Sequence, residues 1–162
     1  MISIQIICIG KIKEKSLTNL CDEYLKRISK FAKISVIELA DEKVDKILSS
    51  EEMKKIKTIE CNKILDKIQK LGKSYVISLD LTGKAISSTD LADKISSIAT
   101  YSSSNITFII GGSLGLNEEL LKKSDDIISF SNLTFPHQLI RVFLLEQIFR
   151  SFKILNNETY HH

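Results

Sequence analysis

Two stretches decide the reading of this chain: Ile106–Gly115, ITFIIGGSLG, and Ser129–His137, SFSNLTFPH. The first opens as a run of Thr and apolar residues and stops at Gly111-Gly112. A strand ending this way leaves exposed backbone at its carboxyl end, which is where open α/β sheets bind ligands. The second stretch carries a strand from Ile127 to Phe130 and runs into a loop stopped by Pro136. If the two strands are neighbours in one sheet, their loops form two walls of a single pocket, and that pocket is the expected active site.

Outward from this pair, helix and strand signals alternate. Ile2 to Ile9 is a nearly continuous apolar run bounded by Gly10, as expected of a strand buried on both faces. Leu17, Leu20, Cys21, Tyr24, Leu25 and Ile28 recur at helical spacing and predict an amphipathic helix over residues 16–30. Lys33 to Leu39 returns to strand. Ser49 with Glu52 predicts a capping box at the head of a long helix closed by Gly72. Tyr75 to Leu81 is a third strand, with Thr82-Gly83-Lys84 read as its turn, and Ser87 opens the next helix. Asn117 caps a short helix with Glu118 and Glu119 in its first turn.

Pro136 belongs to the first turn of the last helix, with Thr134 the nearest capping side chain. From Leu139 to Leu155 the apolar residues occupy most of the circumference and leave a polar strip of Arg141, Glu146, Gln147 and Arg150. A helix this apolar must be covered on two sides. The chain's own sheet is expected to cover one, and a second copy of the chain the other. The β-α alternation predicts an α/β fold, a three-layer sandwich around a mostly parallel sheet.

The 162 residues are read as one domain, residues 1–162, with 43% apolar content enough for a sizeable core. A net charge of +3, from 23 basic and 20 acidic side chains, means that any nucleic-acid contact comes from a local patch. Cys8, Cys21 and Cys61 lack C-x-x-C spacing and fall on apolar positions, so they read as buried reduced thiols. Ile2–Ile9 has no basic segment before it and no cleavage site after it. No apolar run reaches the roughly 18 residues of a membrane span. The expected setting is cytoplasmic, with no membrane partner.

Gly111–Gly115 is neither G-x-G-x-x-G nor a P-loop, because the glycine spacing differs and no Lys-Ser/Thr pair follows. His137, His161 and His162 have no Cys or carboxylate neighbours at ligand spacing, so no metal is expected. A serine nucleophile lacks its G-x-S-x-G elbow. Arg141 lies near the start of a helix, where the dipole disfavours a cation, so it has either an assigned task or an ordinary acidic partner. Tyr160-His161 is either a solvated tail or the source of an imidazole base.

Taken together, Phe108–Ser113 with Gly115, Ser129–Gln138, Arg141-Val142, Glu146-Gln147 and the terminal Tyr160-His161 closely resemble the RlmH family, ribosomal RNA large-subunit methyltransferases of the SPOUT superfamily. The resemblance covers the whole chain, from the Gly10–Glu14 turn through Asp41-Glu42-Lys43 and Leu79 to the last residues. It implies a homodimer whose carboxyl-terminal segment is threaded as a trefoil knot. It also implies S-adenosylmethionine as methyl donor, without metal. The implied substrate is a pseudouridine in a large-subunit (23S) rRNA hairpin loop, methylated at N3 on the assembled ribosome. By position, the implied cofactor contacts are Leu79, Gly111 and the loop Phe130, Ser131, Asn132, Leu133, Thr134 and Phe135. The implied reaction residues are His161 as base, Tyr160 as a stacking or hydrogen-bonding partner of the flipped-out base, and Arg141 as a phosphate or base contact. The family commonly has a basic residue where this chain has His162. The rival from another class is a non-catalytic flavodoxin-like module binding nucleotide or RNA.

Overall fold

A computed structural model describes residues 1–44 and 46–160. Its strands are β1 (Ser3–Ile9), β2 (Lys33–Leu39), β3 (Tyr75–Ala85), β4 (Asn105–Ile110) and β5 (Asp126–Ser129). Its helices are α1 (Lys15–Ile28), α2 (Ser50–Leu71), α3 (Ser88–Tyr101), α4 (Glu118–Lys123) and α5 (His137–Leu155). The strands form one parallel sheet in the order β2-β1-β4-β3-β5, so β4 and β5 are not the neighbours expected from the sequence: β3 runs between them and their loops meet across its end.

The two-residue period of a strand sends alternate side chains to opposite faces. Ile4, Ile6 and Cys8 of β1 therefore join one core with Leu91 and Ile95 of α3 and Leu144 and Ile148 of α5. Ile7 and Ile9 join the other, with Cys61 and Ile64 of α2 and Leu120 of α4. This is why β1 and β4 read as unbroken apolar runs: they are central strands, covered on both faces. The expected three layers are present, and all three cysteines are buried free thiols.

Four local expectations need correction. Thr82-Gly83-Lys84 is not a turn but part of β3, whose pairing with β5 shifts so that Leu79 and Lys84 both lie against Ile128. A Cβ on Gly83 would stand 2.6 Å from the Ile128 carbonyl carbon, so this glycine marks backbone crossing backbone. Pro136 is the N-cap of α5 rather than part of its first turn, and no side chain caps it. At α2, Ser49 Oγ accepts from Glu52 N–H, but the Glu52 carboxylate turns to the Ser49 hydroxyl. The full reciprocal capping box stands instead at Ser87 and Asp90.

The fourth concerns α5. Its buried residues, from Arg141 round to Phe152, pack on the sheet, on α1 and on α3. The second cover that the apolar circumference demands comes from the chain's own helices, because α5 is the middle helix of its layer. Its two-sided apolarity is thus no argument for a second copy.

Candidate active site

The carboxyl ends of β3, β4 and β5 open into a cleft of about 910 Å³. One wall is the turn after β4, where Gly115 N–H donates to the Gly112 carbonyl at 3.0 Å. The opposite wall is the loop after β5, braced by its own hydroxyls: Ser129 Oγ donates to the Ser131 carbonyl at 3.0 Å, and Leu133 N–H donates to Ser131 Oγ at 2.9 Å. Such serine-centred turns fix a loop without secondary structure. The floor is Leu79, Ile110 and Ile128, and the far half of β3 supplies Asp80 and Thr82 at the rim.

Leu79, Gly111, Phe130, Ser131, Leu133, Thr134 and Phe135 all line this space, whereas Asn132 is exposed outside it. Leu133 is 68% exposed at the mouth. Phe135 meets Phe143 of α5 edge-on, with ring centroids 5.5 Å apart. Mostly apolar walls with backbone polar groups at two turns suit a ligand whose apolar part is enclosed and whose polar groups are fixed by a few hydrogen bonds.

His137 also lines the cleft, and the sequence had considered it only as a metal ligand. It opens α5 beside Gly10 and Asp41. Burial lowers its pKa, the nearby Arg141 cation lowers it further, and Asp41 opposes both. Among the described residues, no group of three or more His, Cys, Asp or Glu side chains is arranged to hold a metal.

Arg141 points away from the cleft. At 3% exposure, its Nη1 donates to Glu38 Oε2 at 2.6 Å and its Nη2 to the Gly10 carbonyl at 3.0 Å. Of the two sequence alternatives, the acidic partner is present. Cys8 lies beside this pair, and burial pushes its thiol up to about 11 despite the arginine, so it is no thiolate nucleophile.

Tyr160 stands in a separate recess of about 650 Å³ formed with Arg27, Lys30, Phe31 and Phe149, which shares no residue with the cleft. Its hydroxyl donates to Glu146 at 3.3 Å, its ring lies edge-on to Phe149 at 5.0 Å, and Arg150 sits 4.8 Å from its centroid. Burial and the neighbouring Tyr24 push its phenol up to about 12, so it stays a neutral donor. His161 and His162 lie outside the described residues. No helix among the described residues is long and apolar enough to cross a membrane.

The family model described as "Predicted SPOUT methyltransferase" matches residues 2–161. A protein of Listeria monocytogenes named ribosomal RNA large subunit methyltransferase H is 48% identical over 159 residues, covering 98% of this chain and 99% of that protein. The same name belongs to a protein of Alkaliphilus oremlandii, 50% identical over 159 residues with the same coverage. Among solved structures, one described as a probable methylase family protein from Haemophilus influenzae matches with a TM-score of 0.55 at 14% identity, covering 99% of this chain and 71% of that one. At that identity the likeness speaks for the fold.

Proposed function

Because the chain belongs to the SPOUT methyltransferases, and within them to the ribosomal RNA large subunit methyltransferase H family, we propose that it moves a methyl group from S-adenosylmethionine to N3 of a pseudouridine in a large-subunit rRNA hairpin loop, on the assembled ribosome in the cytoplasm. The observation that carries this reading is the cleft itself, in which seven of the eight expected cofactor residues meet at the ends of three adjacent strands.

The sulfonium supplies an already electrophilic methyl group, so the protein's work is alignment and removal of the N3 proton. His161 is assigned as the acceptor of that proton and Tyr160 as the partner of the flipped-out base. Arg141 is a positioning residue that ties the head of α5 to Gly10, beside His137. Since Tyr160 and the cleft occupy separate recesses in one chain, a homodimer is inferred in which the tail of one copy serves the cleft of the other. The same dimer joins Lys11, Lys13 and Lys15 to that tail and gives a modestly charged chain a footprint on RNA. A carboxyl-terminal segment threaded as a trefoil knot belongs to the same reading.

A thermal shift with S-adenosylmethionine follows from ligand linkage, and methyl transfer to whole ribosomes should far exceed transfer to naked rRNA. No shift at saturating ligand would favour the flavodoxin-like module. Equal rates on both RNAs would refute the composite footprint. Sedimentation showing only the 18.3 kDa monomer at micromolar concentration would remove the dimer.

A further inference from the structure

Beneath the cleft lies a carboxyl group that the reaction as described does not use. Glu60 sits on α2 at 4% exposure, with Ile56, Ile64 and Ile68 before and after it at four-residue spacing. Its Oε2 accepts from Glu42 N–H at 3.1 Å, anchoring the segment that follows β2. Its Oε1 is buried with no hydrogen-bond partner. That atom faces the cleft wall: a Cβ on Gly112 would stand 3.0 Å from it and 3.1 Å from Ile9. Gly112 is therefore the point where the wall rests on the carboxyl group. A buried acceptor without a donor is unfavourable, and the backbone that lies against it is the turn that carries Gly112.

We propose that Glu60 is a positioning residue for the methyl-donor cleft: its free Oε1 accepts a hydrogen bond from the backbone of the turn after Gly111 when the cofactor binds, fixing that wall in its bound form. This rests on the reading of the cleft as the S-adenosylmethionine site. A carboxylate accepts on both oxygens more strongly than the protonated acid does, so the deprotonated form binds cofactor better. The surroundings make that form responsive to pH. Burial raises the Glu60 pKa first, the Glu42 N–H lowers it, Asp41 raises it, Lys63 lowers it and the Glu42 carboxylate raises it. Ile9 of β1 and Gly112 bring no titratable group. In the free protein Glu60 thus holds its proton to higher pH than an exposed glutamate does, and cofactor binding should expel it.

The test is calorimetric titration of the full-length protein with S-adenosylmethionine from about pH 5 to about pH 8, in buffers of different ionisation enthalpy. Wild-type protein should release protons on binding in the acidic part of this range and bind more weakly as pH falls. Glu60→Gln should bind at least about tenfold more weakly at neutral pH, the scale of one charge-assisted hydrogen bond, and should lose the pH dependence. A purely structural carboxyl would lower the melting temperature of Glu60→Gln yet leave the pH dependence of binding in place, which overturns the proposal. So does wild-type binding without proton exchange, a measurement that needs no variant and decides the matter if Glu60→Gln fails to fold. A wild-type protein that binds no S-adenosylmethionine at any pH overturns the functional reading and this inference with it.

Discussion

The helix α5 carries two arginine–glutamate networks that differ in their reach along the chain and in the burial of the cation. Near its start, the buried Arg141 reaches the Gly10 carbonyl and Glu38, 103 residues away, whose own side chain is 35% exposed. Near its end, Glu146 and Arg150 pair one helical turn apart at 2.7 Å, with side chains 19% and 25% exposed, and share Tyr160. The first binds three elements into one head group under the sheet ends. The second pairs within one helical turn, is partly wet, and holds Tyr160 near the end of the chain and, through Gln147, Ser88 of α3. Breaking the first strands an arginine side chain that is 4% exposed, whereas both partners of the second already reach water in part and lose less when they separate. One network is thus suited to fix the frame and the other to release a tail.

The largest effect that would probe this division lies on the buried face of α5 between and beside the two networks. Leu144→Glu or Ile148→Glu places an unpaired charge at a position with no exposed surface. It should unfold the chain at ambient temperature, at a cost of about 5 kcal/mol or more. A folded but monomeric Leu144→Glu protein, seen by circular dichroism and sedimentation, would mean that these residues face a partner after all.

Next in size is Glu38→Ala, which leaves the Arg141 guanidinium inside with the Gly10 carbonyl alone. Urea unfolding should show a loss of about 3 kcal/mol, partly regained when Arg141→Met is added. Near-additive losses would show that the two side chains do not act as a pair.

At the other network the same measurements should separate stability from activity. Glu146→Ala should cost less than about 1 kcal/mol of stability, while methyl transfer drops because Tyr160 loses its acceptor. Deleting Tyr160 to His162 should abolish transfer and spare S-adenosylmethionine binding. A truncated protein that transfers at the wild-type rate would make the tail dispensable. Activity that depends on His161 should fall as pH drops through about 6.5, the unperturbed imidazole value, and His161→Ala should flatten that fall.

The smallest expected effect is a pH dependence of stability at the head of α5. The His137 pKa is lowered in the folded protein, so the unfolded chain binds the proton more readily. Its contribution is complete above the ordinary histidine pKa and is lost as pH falls through the lowered folded value. His137→Gln should remove that slope from urea midpoints measured across the window, and an unchanged slope would place the titration elsewhere.

Central strands, helix order and the two strand-ending loops were legible because each rests on a period or a punctuating residue, Ile2–Ile9, Ile106–Gly112 and the Pro136 stop, but that β3 separates β4 from β5 was not. What was not legible depends on which surfaces meet in space. The apolar circumference of α5 shows that it needs two covers but not that α1 and α3 supply one. Arg141 betrays a task by its place in a helix, yet its partner Glu38 is named by tertiary packing alone. Glu60 left a readable trace, a carboxylate on the Ile56, Ile64, Ile68 stripe where the helical period calls for an apolar residue. Gly83 misled because a glycine between polar residues signals a turn as readily as a close backbone crossing.

That crossing also governs how the chain can be altered. Thr82-Gly83-Lys84 has the composition of a surface turn and would attract an engineer seeking a place for an epitope, a fluorescent insertion or new chain ends. Because Lys84 and Ala85 hydrogen-bond along β5 in register with Ile128 and Ser129, extra residues there would push the second half of β3 off a strand only four residues long. The loop after β5 would then lose its footing, because β3 is the strand that β5 pairs with. The segment that looks most permissive is one the molecule can least afford to lengthen.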